Sequence, residues 1–189
     1  MIIGIEGFMG DGKTIFMVRA LLKDYKRGRK IFSNFKLNNI VYTPLDINDF
    51  LNKDDADKFH NCTIGIDEIT LFMDCRRSSR KENIAISTLL RQSRKRSLDI
   101  YYTAQNLDET DLRLVRYTSI FVIAQRLYAK YNDGKMREME NYRNYTIIDV
   151  RKRKDNVSRL NLDISKYYDE YDTDEIIQSI YETHKKKDN

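Results

Sequence analysis

Gly7-Phe8-Met9-Gly10-Asp11-Gly12-Lys13-Thr14 is the stretch whose reading decides the fold. Its spacing is G-x-x-x-x-G-K-[ST], with an apolar run over 1–5 before it and a helical pattern over 13–23 after it. A strand, a glycine-rich turn and a helix form the context in which this spacing cradles phosphate. Glycine lets the backbone turn tightly enough for successive N–H groups to face phosphate oxygens. The helix that starts near Lys13 adds the positive end of its dipole. Gly7, Phe8, Met9, Gly10, Asp11, Gly12, Lys13 and Thr14 are therefore assigned to a nucleotide. Lys13 is expected to reach the terminal phosphates and the Thr14 hydroxyl to ligate Mg2+. The competing reading is a strand-to-helix turn with a solvated lysine, and the two flanks argue against it.

Outward from this loop, strand and helix patterns alternate without an internal repeat. Strands are expected over 30–34, 62–66, 99–104, 119–124 and 145–150, and helices over 45–51, 84–95 and 173–184. The charged stretch 130–140 is expected to separate the last two strands, the final one being half of an added hairpin. Alternation of this kind implies an α/β fold, a mostly parallel sheet with helices on both faces. The chain reads as a single domain over 1–189, with 126–189 a C-terminal extension of hairpin and helix.

The strand over 62–66 ends in Asp67-Glu68 and is expected next to the strand that carries the glycine loop. In that arrangement Asp67 supports magnesium and Glu68 polarises the attacking water. Gln105 ends the strand before it with an amide suited to the γ-phosphate and that water. Arg94 lies eleven positions earlier at a basic helix end, where it can project into a neighbour's site. Arg91, one helical turn away on the same face, is the fallback.

Composition excludes several classes. Among 189 residues, Cys62 and Cys75 have no C-x-x-C spacing and only His60 and His184 are histidines, so zinc and a disulfide framework are not expected. No run approaches ~18 apolar residues, so no membrane-spanning helix is expected. Met1 opens straight into the first strand, so no signal peptide is expected, and the cysteine usage suits a reducing cytoplasm. The net charge is only +5, yet basic residues cluster over 23–30, 76–81, 91–96, 151–154 and 185–187, which suits a polyanionic partner.

The set of a glycine loop, an apolar run ending Asp67-Glu68, and Ser93-Arg94 followed by L-D-I-x-x-T-A-Q up to Gln105 resembles the FtsK/HerA branch of the RecA-like (ASCE) P-loop ATPases. It is most similar to the Zot-like ATPases of filamentous phages and the genome-packaging ATPases of membrane-containing viruses. Phe32-Ser33-Asn34, the D-E-I-T run from Asp67 and Arg76-Arg77 belong to that likeness, which covers about 1–125. Two departures stand out: Ser93-Arg94-Lys95 replaces the usual His-Arg-His, and no counterpart of the membrane-spanning segment of Zot proteins is expected within these residues.

The resemblance implies an ATP- and Mg2+-dependent translocase of double-stranded DNA without sequence specificity. It would be a viral genome-packaging motor, working as a hexameric or pentameric ring on a capsid or portal-like protein, in the host cytoplasm or on the virion. The segments 69–83 and 126–155 are then candidate loops towards DNA or capsid. Two alternatives stay open. One is a membrane-docked assembly ATPase that moves protein; the other is a non-motor nucleotide kinase or switch, with 76–81 as an arginine-rich lid.

Overall fold

The computed structural model describes residues 1–45, 58–71, 73 and 81–172. Strand β1 (Ile2–Glu6) runs into the glycine loop, and α1 (Lys13–Lys26) leaves it. Then come β2 (Lys30–Ser33), β3 (Thr43–Pro44), β4 (Cys62–Ile66), α2 (Lys81–Gln92), β5 (Asp99–Ala104), α3 (Leu112–Tyr117) and β6 (Ile120–Lys130). Two long strands, β7 (Met136–Asp149) and β8 (Val157–Asp163), follow. The described strands form one sheet in the order β3-β2-β4-β5-β1-β6-β7-β8. Its first six members pair in parallel, and β7 and β8 are antiparallel additions.

Successive residues of a strand face opposite sides of its sheet, and the apolar residues divide accordingly. Ile2, Phe32, Ile64, Ile66, Ile100 and Tyr102 join one core, closed by Ile86, Leu89 and Leu90 of α2 and Leu114 of α3. Ile3, Ile5, Ile31 and Val122 join the other, closed by Phe16, Met17, Val18 and Leu21 of α1. Strands covered on both faces read as unbroken apolar runs, which is why CTIGI and IIGIE are so uniform. Helices thus cover both faces, as expected.

Four expectations need correction. The strand ending in Asp67-Glu68 does not neighbour β1, because β5 lies between them, pairing Ile100 with Ile2 and Ile64. Chain order is not spatial order: the crossover through α2 returns the chain to the gap beside β1. The charged stretch 130–140 is no separator, since β6 and β7 run through it as a ribbon around the turn at Gly134. Much of this ribbon is exposed, so polar residues interrupt its apolar positions and hide the strand period. The added piece is three-stranded, because β8 pairs along β7. Segment 126–155 is accordingly mostly strand rather than loop. The expected helices over 45–51 and 173–184 fall largely or wholly outside the described residues, as do Cys75, Arg76 and Arg77.

After β8 a 3-10 turn (Ser165–Glu170) brings the chain back across α1. Tyr171 forms a β-bridge with Leu37 and sets its ring 6.4 Å from Phe35, while Asn38 N–H donates to Glu170 O at 2.9 Å. This strap closes the α1 side of the sheet just beyond the end of β2.

Candidate nucleotide site

The carboxyl ends of β1, β4 and β5 meet at one edge of the sheet, where open α/β folds place their ligands. Gly10 (φ 82°) and Gly12 (φ 86°) turn the loop through left-handed backbone, and Gly12 is the N-cap of α1. No side chain caps that helix, so its first N–H groups stay available to an anion. Inside the loop, Asp11 N–H and Lys13 Nζ both donate to Phe8 O at 3.2 Å. Asp11 Oδ2 accepts from Phe8 N–H at 2.8 Å. Asp11 and Lys13 are buried, whereas the Phe8 and Met9 side chains at the tip are exposed.

Asp67 faces this loop. Its carboxylate accepts from the Thr14 hydroxyl at 3.1 Å to both oxygens and from the Thr103 hydroxyl. Its backbone is held by a reciprocal pair with the Asn34 side chain, Nδ2 to Asp67 O at 3.0 Å and Asp67 N–H to Oδ1 at 2.8 Å. Burial raises the Asp67 pKa, against the hydrogen bonds from Thr103 and Thr14 and the Lys13 charge. Glu68 follows in left-handed backbone (φ 50°), its N–H donating to Thr103 Oγ1 at 2.9 Å. Its pKa is raised too, first by burial and then by the Asp67 charge, with Lys13 pulling it down.

A hydroxyl and a half-buried carboxylate in contact, both oxygen donors beside a phosphate-type loop, fit magnesium. No cluster of three His, Cys, Asp or Glu side chains suited to a metal occurs among the described residues.

Gln105 sits exposed directly after β5, at this same edge. Arg91 and Arg94 do not join it. They lie at the opposite edge, by the amino ends of the strands, lining a cavity of about 640 Å³ with Met1, Leu98 and Asp99. Arg91 Nε donates to Tyr117 Oη at 2.9 Å, while Arg94 is exposed in the turn that follows α2. The eleven positions from Arg94 to Gln105 are thus a turn plus the length of β5, and Arg94 faces away from its own glycine loop.

No family pattern and no curated protein matches the chain. Solved structures do. The N-terminal domain of zonular occludens toxin from Neisseria meningitidis superposes with a TM-score of 0.61 at 20% identity, over 90% of this chain and 98% of that one. The genome-packaging NTPase of Sulfolobus turreted icosahedral virus 2, in complex with ATP-gammaS, gives 0.55 at 12%, over 84% and 95%. The DNA-packaging ATPase of Sulfolobus turreted icosahedral virus gives 0.54 at 13%, with the same coverage. The fold is that of the RecA-like P-loop NTPases.

Four residues of this P-loop site escape a reading of the sequence. Thr103 binds both acidic positions at once, and its one visible signal is the T-A-Q run before Gln105. Arg126, Arg143 and Tyr145 reach the P-loop from the added ribbon. Arg126 Nη2 donates to Met9 O at 3.2 Å, Arg143 Nε to Gly10 O at 3.0 Å and Tyr145 Oη to Gly12 O at 2.9 Å. Nothing in the sequence around 126–145 marks them, because the atoms they hold at Met9, Gly10 and Gly12 are backbone carbonyls.

These contacts leave no room at Gly12, where an added Cβ would lie 2.8 Å from Tyr145 Oη and 3.0 Å from Arg143 Cγ, at φ +86°. Gly12→Ala should lower stability by about 1–3 kcal/mol. Gly28, at φ +80° with nothing within 4 Å, is the matched control. Gly28→Ala should show the smaller loss, about 1 kcal/mol of left-handed strain alone. Urea unfolding of both variants checks the ordering; equal losses would mean that crowding at Gly12 is absorbed.

Proposed function

We propose that this chain is a magnesium-dependent ATPase that works as a ring and moves double-stranded DNA, in the manner of a viral genome-packaging motor. The observation that carries the reading is the half-buried Asp67 carboxylate, bonded by Thr14 of the P-loop helix and Thr103 of β5, with Glu68 beside it. Gly10 to Thr14 would bind the phosphates, and Thr14 with Asp67 would hold magnesium, directly or through its water. Magnesium supplies charge neutralisation on the phosphate oxygens when bound. Glu68 would orient the attacking water and take its proton. Gln105, at the end of the strand between β1 and β4, would contact that water or the γ-phosphate.

Support for DNA as the load comes from the basic runs at 23–30, 91–96 and 151–154, and from the fold likeness to two packaging enzymes. Contacts of such runs are to phosphates, so they carry no base specificity. The capsid or portal partner and the host cytoplasm belong to the same proposal.

A second reading, a membrane-docked assembly ATPase, draws on the likeness to the zonular occludens toxin domain. Among the described residues no helix is long and apolar enough to cross a membrane, so docking would be through a partner protein.

The deciding experiment is ATP turnover and DNA binding across a salt series, with two duplexes of unrelated sequence. Both duplexes should bind alike and raise turnover alike, with log K falling against log salt by about 0.9 per phosphate contact. A flat salt response, or no change in turnover at saturating DNA, would remove the translocase reading and promote the assembly one.

A further inference from the structure

The three donors that reach the P-loop from the ribbon form a connected device. Glu138 bridges the two arginines, 3.2 Å from Arg126 Nη1 and 3.3 Å from Arg143 Nη2. Arg126 Nε also lies 3.5 Å from Asp11 Oδ1. Arg143 Nη1 donates to the carbonyls of Glu140 and Tyr142 at 2.9 Å, which fixes its fork to β7. Tyr145 is fully buried, its ring 4.9 Å from that of Phe16 on α1. The ribbon grips the P-loop from behind and α1 from the side.

A peptide unit is planar, with its C=O and the next N–H pointing in opposite directions. Anchoring the carbonyls of Met9, Gly10 and Gly12 on the ribbon side therefore turns the N–H groups of Gly10 and Lys13 towards the interior of the loop and that of Asp11 onto Phe8 O. A guanidinium on a carbonyl also polarises that peptide and strengthens its N–H as a donor. Left-handed backbone at Gly10 and Gly12 persists where surrounding contacts over-determine it, and these are the contacts.

We infer that Arg143 and Tyr145, with Arg126 beside them, are positioning residues that hold the P-loop in its phosphate-receiving shape, and that they act on polyphosphate rather than on base or ribose. This rests on the reading of the loop as a nucleotide site. Their effect scales with the phosphates the loop must hold, so the number of phosphates on the ligand is the discriminating variable. A merely structural role would lower all affinities together.

The test is displacement of a fluorescent ATP analogue from the full chain by ATP, ADP and AMP. Arg143→Lys keeps the charge but replaces the fork by a single ammonium, which cannot reach Gly10 O and the β7 carbonyls together. It should weaken ATP and ADP about tenfold, the scale of one charge-assisted hydrogen bond, and leave AMP within about twofold. Tyr145→Phe removes only the hydroxyl and keeps the ring on Phe16, and should weaken ATP and ADP about fivefold. Equal losses for all three nucleotides, or no loss, would overturn the inference. If Arg143→Lys fails to fold, Tyr145→Phe decides by the same criterion. If the wild-type chain binds no ATP, or Lys13→Ala binds it as well as wild type, the nucleotide reading itself fails instead.

Discussion

Arg94→Ala is expected to reduce ATP turnover by about 10³–10⁵, the effect of removing an arginine that stabilises charge on the transferring phosphoryl group. The loss should appear only in assembled rings. Arg94 stands at the amino-terminal edge of the sheet, whereas the P-loop, Asp67 and Glu68 stand at the carboxyl edge. Between the two edges runs β5, six residues and therefore about 20 Å long. The guanidinium thus serves a neighbour or no site at all. Mixing tests this. Arg94→Ala subunits keep an intact Glu68, and Glu68→Gln subunits keep an intact Arg94. An interface that joins the second's arginine to the first's P-loop has every group, so mixed rings should regain turnover that neither variant shows alone. Rings that demonstrably mix and stay inactive would remove the finger in trans. Arg91, already bonded to Tyr117, would then be tested in its place.

Glu68→Gln should slow hydrolysis by at least ~100-fold while ATP still binds, the scale of a lost general base. Glu68 follows a buried strand and is itself in left-handed backbone, and the Thr103 hydroxyl holds its N–H in place. Glutamine keeps the shape and loses only the ability to take a proton. Lys13→Ala is the contrast, expected to lose binding as well, because its ammonium lies inside the loop. Turnover measured beside equilibrium binding separates the two. Near wild-type turnover in Glu68→Gln, with Lys13→Ala inactive, would assign the water to another group.

Much of the fold and half of the candidate site were legible in the residues. The P-loop showed because its glycines and lysine are contiguous, and β4 and β5 because burial on both faces leaves apolar runs with sharp ends. Asp67 and Glu68 showed as the first polar residues after such a run. Where β5 would sit was not legible, because a crossover through a helix says nothing of which gap the next strand enters. Nor was the ribbon's role. Arg126 and Arg143 look like members of a solvated charged stretch, and their task depends on carbonyls 117 and 133 residues away. β3 is two residues long and β8 is largely exposed, so neither carries a period.

The place of β5 has a mechanical consequence. Its first residue follows the turn that carries Arg94, and its last two side chains before Gln105 include the Thr103 hydroxyl on Asp67. In a ring built as proposed, one end of this strand would touch the neighbour's phosphates and the other its own. Hydrogen-bonded on both sides, to β1 and β4, it behaves as a stiff push-rod rather than a hinge. Firing at one site would then be felt at the next through six residues of backbone, which is a direct physical route to sequential turnover around the ring.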